Sequence, residues 1–247
     1  MKMNTIIKGN LLLITTGLWM LIAMFFAGCE DDKEIVTPAN ETGTVTDVEG
    51  NVYRTVKIGN QWWMAENLKV AKYKNGELIT DGKNFSSWGN GTAAFCIYDN
   101  STVGNLYNWY AVNDANGLAP EGWHIPSDEE WKELEKNLGM SPSEADKLGW
   151  RGTDQAEKLK IEALKGWERY EDLWPLNTSG FSATAGGCRF YDDTWGSPGL
   201  FSTGFWWSVN ENSAEDAWYR HLDYKKNTVF RYYGNKDYGF SIRCVKD

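Results

Sequence analysis

Tryptophan and glycine together set the strongest limit on how this chain can fold. Its 247 residues include 14 tryptophans and 25 glycines but only 6 prolines. Large rings have to be buried or covered, and frequent glycines favour tight turns over long regular elements. We therefore expect a loop-rich domain in which aromatic rings fill the space between short irregular segments.

The first residues of the chain are typical of a secretory signal. Lys2 and Lys8 precede a largely apolar run, and small residues stand directly before Cys29. A basic start, an apolar stretch and a small-residue cleavage site define such a leader. The cysteine at the cleavage site resembles the lipobox of bacterial lipoproteins, with Phe26 in place of the usual leucine. We therefore predict a lipoprotein signal peptide over 1–28 and a lipid on Cys29.

An uncleaved membrane anchor is the alternative reading of this leader. Its apolar run covers 11–27, which is slightly short of the roughly 20 residues that a spanning helix needs. A lipid holds a chain on a membrane without any spanning helix. The membrane is therefore an expected partner of this protein through the lipid on Cys29.

The charge balance of the chain argues against two classes of partner, nucleic acid and anionic lipid surfaces. Removing a leader over 1–28 takes away two lysines and no acid, so the net charge falls from −9 to −11. A surface that binds nucleic acid or anionic lipid needs a basic patch, and we expect neither function. The acidic balance suits a domain that stays soluble outside the cytoplasm.

Residues 29–44 are predicted to form a flexible tether, and the folded domain is predicted over 45–247. The tether begins "CEDDKE", is polar and shows no periodicity. An acidic cluster directly after a lipidated cysteine resembles the surface-export signal of Bacteroidetes lipoproteins, although an ordinary solvated spacer explains it equally well. We expect an outer-membrane lipoprotein at the cell surface.

Helices are predicted only in the middle of the domain. Ser127 is followed three residues later by a glutamate, which is a capping box, and acidic residues at 128–130 favour the positive end of a helix dipole. Gly139 is a natural residue to end this helix. Further short helices are predicted after Ser141 and over 153–164.

Strands are predicted on both sides of these helices. Apolar alternation over 52–58 with a Gly59-Asn60 turn indicates a hairpin, and the apolar run over 92–98 is typical of a buried strand. The segment 105–116 fits a strand or a helix equally well. From 167 onward short runs between glycine-rich or charged turns indicate further strands. The sum is an α+β fold with two to three helices, short antiparallel strands and long loops.

Six ordered segments resemble one family of secreted proteins and lipoproteins from Bacteroidetes and Fibrobacteres. Over 45–247 the chain is similar to the Fibrobacter succinogenes major paralogous domain. The segments that carry the resemblance are "NVYRTVKIGNQWWMAENL", "LYNWYAVN", "LAPEGWHIPSDEEWKELEKNLG", "SGFSATAGGCRF", "FWWSVNENSAEDAWYR" and "YGFSIRCVKD".

The resemblance implies a C-type lectin-like fold. It also implies a disulfide between Cys96 and Cys244, because the family often has cysteines at such positions. Cys188 stands where the family commonly has an aromatic residue, so it is expected to be unpaired and buried. The biochemical function of the family is not established, so the resemblance implies fold and location more than activity.

Three groups were candidates for chemistry. His124 lies outside the predicted helix and the acids at 128–130 already have capping roles, so we interpret this stretch as structural rather than as a metal or acid–base site. His221 and Asp223 share a face of a predicted strand and could form an acid–base pair, although a surface pair is commoner. Cys188 with a histidine could form a nucleophile, but its spacing differs from that of the formylglycine-generating enzymes, which have a C-type lectin-like fold.

Calcium is the one metal that the sequence makes worth testing. The loops "YDDTWGS" and "ENSAED" offer oxygen ligands. The sugar-binding triplets of calcium-dependent lectins are matched only loosely, and acidic loops are usually solvated. We therefore predict no metal and no cofactor.

A loop after position 190 is the predicted ligand-binding segment. It contains Tyr191, Asp192, Asp193 and Trp195 between glycine-rich stretches. An exposed ring covers the apolar face of a sugar, and neighbouring carboxylates accept its hydroxyl hydrogens. The alternative is a tryptophan folded back onto the core.

These features favour a non-enzymatic surface lipoprotein that acts in binding or adhesion, with glycan as the candidate ligand. Two alternatives stay open. The first is an enzyme that uses Cys188 or His221, and the second is a structural subunit of a surface assembly whose aromatic surface meets another protein.

Overall fold

The computed structural model describes residues 40–83, 88–97, 103–162, 167–171, 173, 175–190 and 201–247. Cys29 and the predicted ligand-binding residues Tyr191, Asp192, Asp193 and Trp195 lie outside this part. The strands are β1 (Thr42–Thr46), β2 (Val52–Ile58), β3 (Gln61–Met64), β4 (Thr80–Asp81), β5 (Ala94–Cys96), β6 (Leu106–Tyr107), β7 (Trp123–His124), β8 (Gly149–Arg151), β9 (Thr203–Glu211), β10 (Asp216–Asp223), β11 (Val229–Asn235) and β12 (Val245–Lys246). The helices are α1 (Trp109–Val112), α2 (Asp128–Asn137), α3 (Pro142–Ala145) and α4 (Gln155–Leu159).

The strands form three sheets. Their orders are β1-β2-β3-β12-β7, β8-β11-β10-β9 and β4-β5-β6. The C-terminal strand β12 lies between β3 and β7, so the end of the chain completes the sheet that its first described strands begin. β1 starts at Thr42, inside the segment predicted as a tether, and pairs with β2 along its whole length.

The prediction of an α+β, C-type lectin-like fold is wrong. The described part of the chain is mainly β, and its helices have 10, 4, 4 and 5 residues, too short to form a layer. The capping signals did mark helix starts, but a cap does not set the length of a helix. After α3 the chain returns to a strand within a few residues.

Several local predictions are confirmed. The hairpin consists of β2 and β3, and its turn holds Gly59 at a φ of 59°. Ser127 caps α2, and its backbone N–H donates to Oε2 of Glu130 at 2.7 Å, which completes the capping box. The segment 105–116, which fitted either type, contains both β6 and α1.

The core has two large clusters of apolar side chains. One lies under α2, where Trp131 packs against Trp63 with ring centroids 4.9 Å apart and against Phe181 at 5.8 Å. The segment 239–244 runs between the two clusters. Its Phe240, Ile242 and Cys244 lie in the second cluster.

The opposite face of this segment is also buried, which the sequence did not indicate. Arg243 is fully buried, and its Nε donates to Oδ1 of Asn67 at 2.8 Å. Its terminal nitrogens donate to the carbonyls of Phe181 and Ser182. A buried arginine is tolerated here because its donors are used by protein acceptors.

A buried ion network joins α2 to the second sheet. Oδ1 of Asp128 accepts from Nη1 of Arg220 at 2.7 Å, and Oδ2 accepts from Nη2 of Arg231 at 2.6 Å. Glu135 accepts from Arg220 at 2.7 Å and from Arg151 at 2.6 Å. Burial alone would raise the pKa of Asp128, but the two arginines hold it well below its usual range. The arginine face of β10 and β11 is therefore the face that packs against α2.

Candidate functional site

The second sheet carries a wide aromatic surface on the face opposite its arginines. Trp150, Phe230, His221 and Phe205 stand directly opposite one another across β8, β11, β10 and β9. A second row on the same face, two residues along each strand, consists of Tyr232, Tyr219 and Trp207. We call these seven residues the aromatic face. It exists because alternate side chains of a strand point to opposite faces, and the arginines occupy the other one.

The rings of the first row contact one another. His221 stacks on Phe205, with centroids 4.1 Å apart and an interplanar angle of 7°. Trp150 lies 5.1 Å from both His221 and Phe230. This row therefore forms one continuous band of rings across the sheet.

The aromatic face is covered at one side and open at the other. Phe240 packs over its β9 side, 5.0 Å from Phe205 and 4.3 Å from Trp207. At the β8 and β11 side, Trp150 is 38% exposed and Tyr232 is 37% exposed. Large rings that stay accessible on a regular sheet are candidates for ligand contact.

His221 acts in this surface as a neutral ring. Burial, and then the charge of Lys160, lower the pKa of its imidazole to about 3. Its Nε2 is buried and has no hydrogen-bond partner among the described residues. A group with so low a pKa is a poor general base at neutral pH.

Asp223 does not complete the acid–base pair that the strand spacing allowed. Its Oδ1 accepts the backbone N–H of Lys225 at 2.8 Å, and its backbone carbonyl accepts from Nζ of Lys160 at 2.6 Å. The structure therefore uses Asp223, the last residue of β10, to hold the turn that follows the strand, and it gives His221 a packing role.

The cysteines lie in the core. Cys188 is fully buried, which keeps its thiol away from a substrate. Cys244 is a free, fully buried thiol whose pKa is raised by burial. The Cys96–Cys244 disulfide implied by the resemblance is not formed, because Cys96 packs in a small separate cluster with Trp88 and Leu106 while Cys244 lies in a large one.

His124 lies between two carboxylates, those of Glu130 and Asp247, and we call this three-residue contact the clasp. Its Nε2 lies 2.7 Å from Oε1 of Glu130, and its Nδ1 lies 2.6 Å from Oδ1 of Asp247. Partial burial would lower the pKa of His124, but its hydrogen bonds to the two carboxylates outweigh this and raise it. This clasp ties β7, the start of α2 and the C-terminal residue together.

The described residues form neither a metal site nor a membrane-spanning helix. Among the described residues, no three histidine, cysteine or acidic side chains converge in a way that could hold a metal ion. None of the described helices has the length and hydrophobicity needed to cross a bilayer.

The last described residue before the predicted ligand loop lies near the aromatic face. This residue, Phe190, packs edge-on against Tyr238 at 5.1 Å, and Tyr238 lies 5.9 Å from Phe240. Phe201, the first residue after the loop, is 42% exposed. The role of Tyr191, Asp192, Asp193 and Trp195 in binding stays a prediction.

Sequence reasoning missed the aromatic face although a signal was present. In β10, Tyr219 and His221 flank Arg220 on either side. In β11, Phe230 and Tyr232 flank Arg231 in the same way, so these four rings share the face opposite the arginines. Arginine is usually taken to be exposed, and that interpretation would expose the arginines of this sheet and bury its aromatic face. Pairing the arginines with the acids of α2 would have given the correct orientation.

Comparison with known proteins identifies the family of this chain and no individual relative. Residues 56–246 match the Fibrobacter succinogenes major domain. No curated protein and no solved structure matches the chain. Because the match covers most of its length, the chain belongs to the Fibrobacter succinogenes major domain family.

Proposed function

We propose that this protein is a non-enzymatic binding module that holds glycan on the open side of its aromatic face. The observation that carries the proposal is the pair of accessible rings, Trp150 and Tyr232, at the edge of a continuous aromatic band. Sugars present an apolar C–H face that stacks on such rings and hydroxyl groups that bond to their polar rim.

The surroundings of these rings suit a sugar better than an apolar protein partner. Nζ of Lys226 lies 5.8 Å from the ring centre of Trp150 and can donate to a hydroxyl group. Tyr232 contributes a phenol at the same edge. A mixed rim of donors beside rings fits a polyhydroxyl ligand, and acidic overall charge disfavours nucleic acid.

The absence of catalysis is part of the proposal. Of the groups considered for chemistry, Cys188 is fully buried and His221 has a strongly lowered pKa. Neither offers an accessible, activated nucleophile or base.

We also propose that the module is displayed at the cell surface by a lipid on Cys29. The support is the leader sequence and the acidic segment that follows it. Labelling of the intact chain with palmitate, lost in Cys29→Ala, tests the anchor. Digestion of the protein by protease added to whole cells tests its surface exposure, with a periplasmic protein as the control.

Binding to β-glucan, xylan and mannan, measured by affinity electrophoresis, tests the function. We expect Trp150→Ala to weaken binding by about tenfold or more, which corresponds to a loss of at least about 1.4 kcal/mol. Trp150→Phe keeps a ring and should retain most of the affinity. Leu78→Ala removes an apolar side chain that is 75% exposed elsewhere and should change nothing.

The result against the proposal is equally definite. If none of the polysaccharides binds, or if Trp150→Ala binds as well as the unchanged chain, the aromatic face is not a glycan site. Loss of a co-purifying protein in Trp150→Ala would instead favour a structural subunit of a surface assembly.

A further inference from the structure

A second concave surface lies along the β2–β3 hairpin, outside the aromatic face. It consists of two adjoining cavities of about 480 Å³ and about 440 Å³. Arg54, Ala65 and Ser182 line both cavities, so the two form one cleft. Each volume lies within the range of small-molecule binding sites.

Two residues of the far wall hold an uncommon backbone conformation. Asn177 has a φ of 50° and Ser182 a φ of 55°. They fix each other, because the N–H of Ser182 donates to Oδ1 of Asn177 at 2.8 Å and Nδ2 of Asn177 donates to Oγ of Ser182 at 3.0 Å. Serine rarely adopts this conformation, and such strain is concentrated at binding and catalytic sites.

The cleft carries positive charge in an acidic protein. Arg54 and Lys69 line it, and Arg243 is buried directly beneath Ser182, to whose carbonyl it donates at 2.7 Å. No carboxylate of the described residues lies within ion-pair distance of Arg243, and burial lowers its pKa to about 9. Glu66 is the acidic residue in the lining of the larger cavity. Two cations and one carboxylate therefore line the larger cavity, with Arg243 buried behind it, whereas the whole chain has a net charge of −9.

The two terminal guanidinium nitrogens of Arg54 are available to a ligand. Only its Nε contacts Glu66, at 3.4 Å, and its two terminal nitrogens have no acceptor among the described residues. The planar pair of donors at the end of an arginine matches a carboxylate with two parallel hydrogen bonds. The side chain of Arg54 is 62% exposed, so a ligand can reach it.

The other walls provide complementary surfaces. Val52, 58% exposed, and Ile161 supply apolar contact. Thr184 presents a hydroxyl group, which accepts from Nδ2 of Asn67 at 3.3 Å and can donate to a ligand. Asn67 itself is used by the protein, since its oxygen accepts from Trp206 and Arg243.

We propose that this cleft binds an acidic sugar, with the carboxylate on Arg54, hydroxyl groups on Lys69 and Thr184, and a C–H face against Val52. A free uronic acid and the end of a polyuronate chain share this chemistry. Neutral sugars lack the group that Arg54 recognises. The site is separate from the aromatic face, so this inference does not depend on the proposed function.

Isothermal titration of the intact chain with glucuronate, oligogalacturonate, glucose and methyl glucuronate ester tests the proposal. We expect the two acids to bind, the neutral sugar and the ester to bind at least about tenfold more weakly, and the affinity to fall as salt is added. Tighter binding of oligogalacturonate than of glucuronate would identify a polymer end as the ligand, and the reverse would identify the free acid.

Two matched variants locate the site. Arg54→Gln should reduce the affinity about tenfold or more, and thermal unfolding should show that it stays folded. Lys83→Gln removes a cation that is 76% exposed and does not line the cleft, and this variant should bind as before. Equal binding of acid and ester, unchanged affinity in Arg54→Gln, or no binding of either acid would overturn the proposal. Trp150→Ala should leave acid binding intact, so failure here is distinct from failure of the glycan function.

Discussion

Oε1 of Glu135 accepts a hydrogen bond from Nε of Arg220 at 2.7 Å, and both side chains are excluded from solvent. This contact holds the only long helix of the described chain against the second sheet. It also orients that sheet, because an arginine paired with a carboxylate can be buried against α2 while the aromatic residues beside it in sequence lie on the opposite face.

Replacing Glu135 by glutamine should destabilise the protein by about 3–5 kcal/mol, because it leaves the buried Arg151 without a counter-charge and Arg220 with Asp128 alone. Urea unfolding followed by tryptophan fluorescence measures this loss. Glu133→Gln is the matched control on the same helix, since the Glu133 side chain is 49% exposed, and it should change the free energy of unfolding by less than about 0.5 kcal/mol. Equal losses in the two variants would mean that the network adds nothing to stability.

The local elements of this fold could be predicted, whereas its layers could not. The Ser127 cap and the Gly59 turn depend on neighbours in sequence, and both were found where the sequence indicated them. The contact between β12 and β3 joins residues far apart in the chain, and no local pattern indicates it. Helix starts were therefore correct while the fold class was wrong.

The candidate site could not be found from the strand pattern alone, because that pattern does not show which face of the sheet is buried. An alternating strand with Arg220 and Arg231 on one face is normally taken to expose that face. Here Asp128 and Glu135 lie opposite and reverse the preference. Partners across elements decide such a choice, and their pairing becomes visible only once α2 and the sheet are placed together.

Gly104 should not tolerate a side chain. It has a φ of 87°, and an added Cβ would lie 2.7 Å from Cβ of Asn67 and 2.9 Å from the carbonyl oxygen of Leu68. Gly104→Ala should therefore cost more than about 2 kcal/mol, through both backbone strain and overlap. Gly76→Ala is the control, because Gly76 has a φ of 88° in open space and should lose only about 1 kcal/mol. Thermal unfolding of both variants makes the comparison, and a smaller loss for Gly104→Ala would contradict the packing around it.

The thiols of Cys188 and Cys244 should resist alkylation in the native protein. Both are fully buried, and burial raises the pKa of Cys244, so little thiolate is formed there. Iodoacetamide followed by peptide mass spectrometry should find both unmodified before unfolding and both modified in urea without a reductant. A Cys244 that stays unmodified in urea until it is reduced would show a disulfide and contradict the structure.

The clasp around His124 should make stability depend on pH. Its folded pKa is raised above the usual value of 6.5 by Glu130 and Asp247. The folded state therefore binds a proton that the unfolded state releases first, and this stabilisation is complete below about pH 6.5 and lost as pH rises through the folded pKa. Because the His124 side chain is 41% exposed, we expect no more than about 1 kcal/mol. Urea unfolding of the unchanged chain and of His124→Gln between about pH 5 and pH 9 measures the difference in free energy. The difference should shrink as pH rises, whereas a difference that is constant or grows would show that the imidazole is held by packing rather than by its charge.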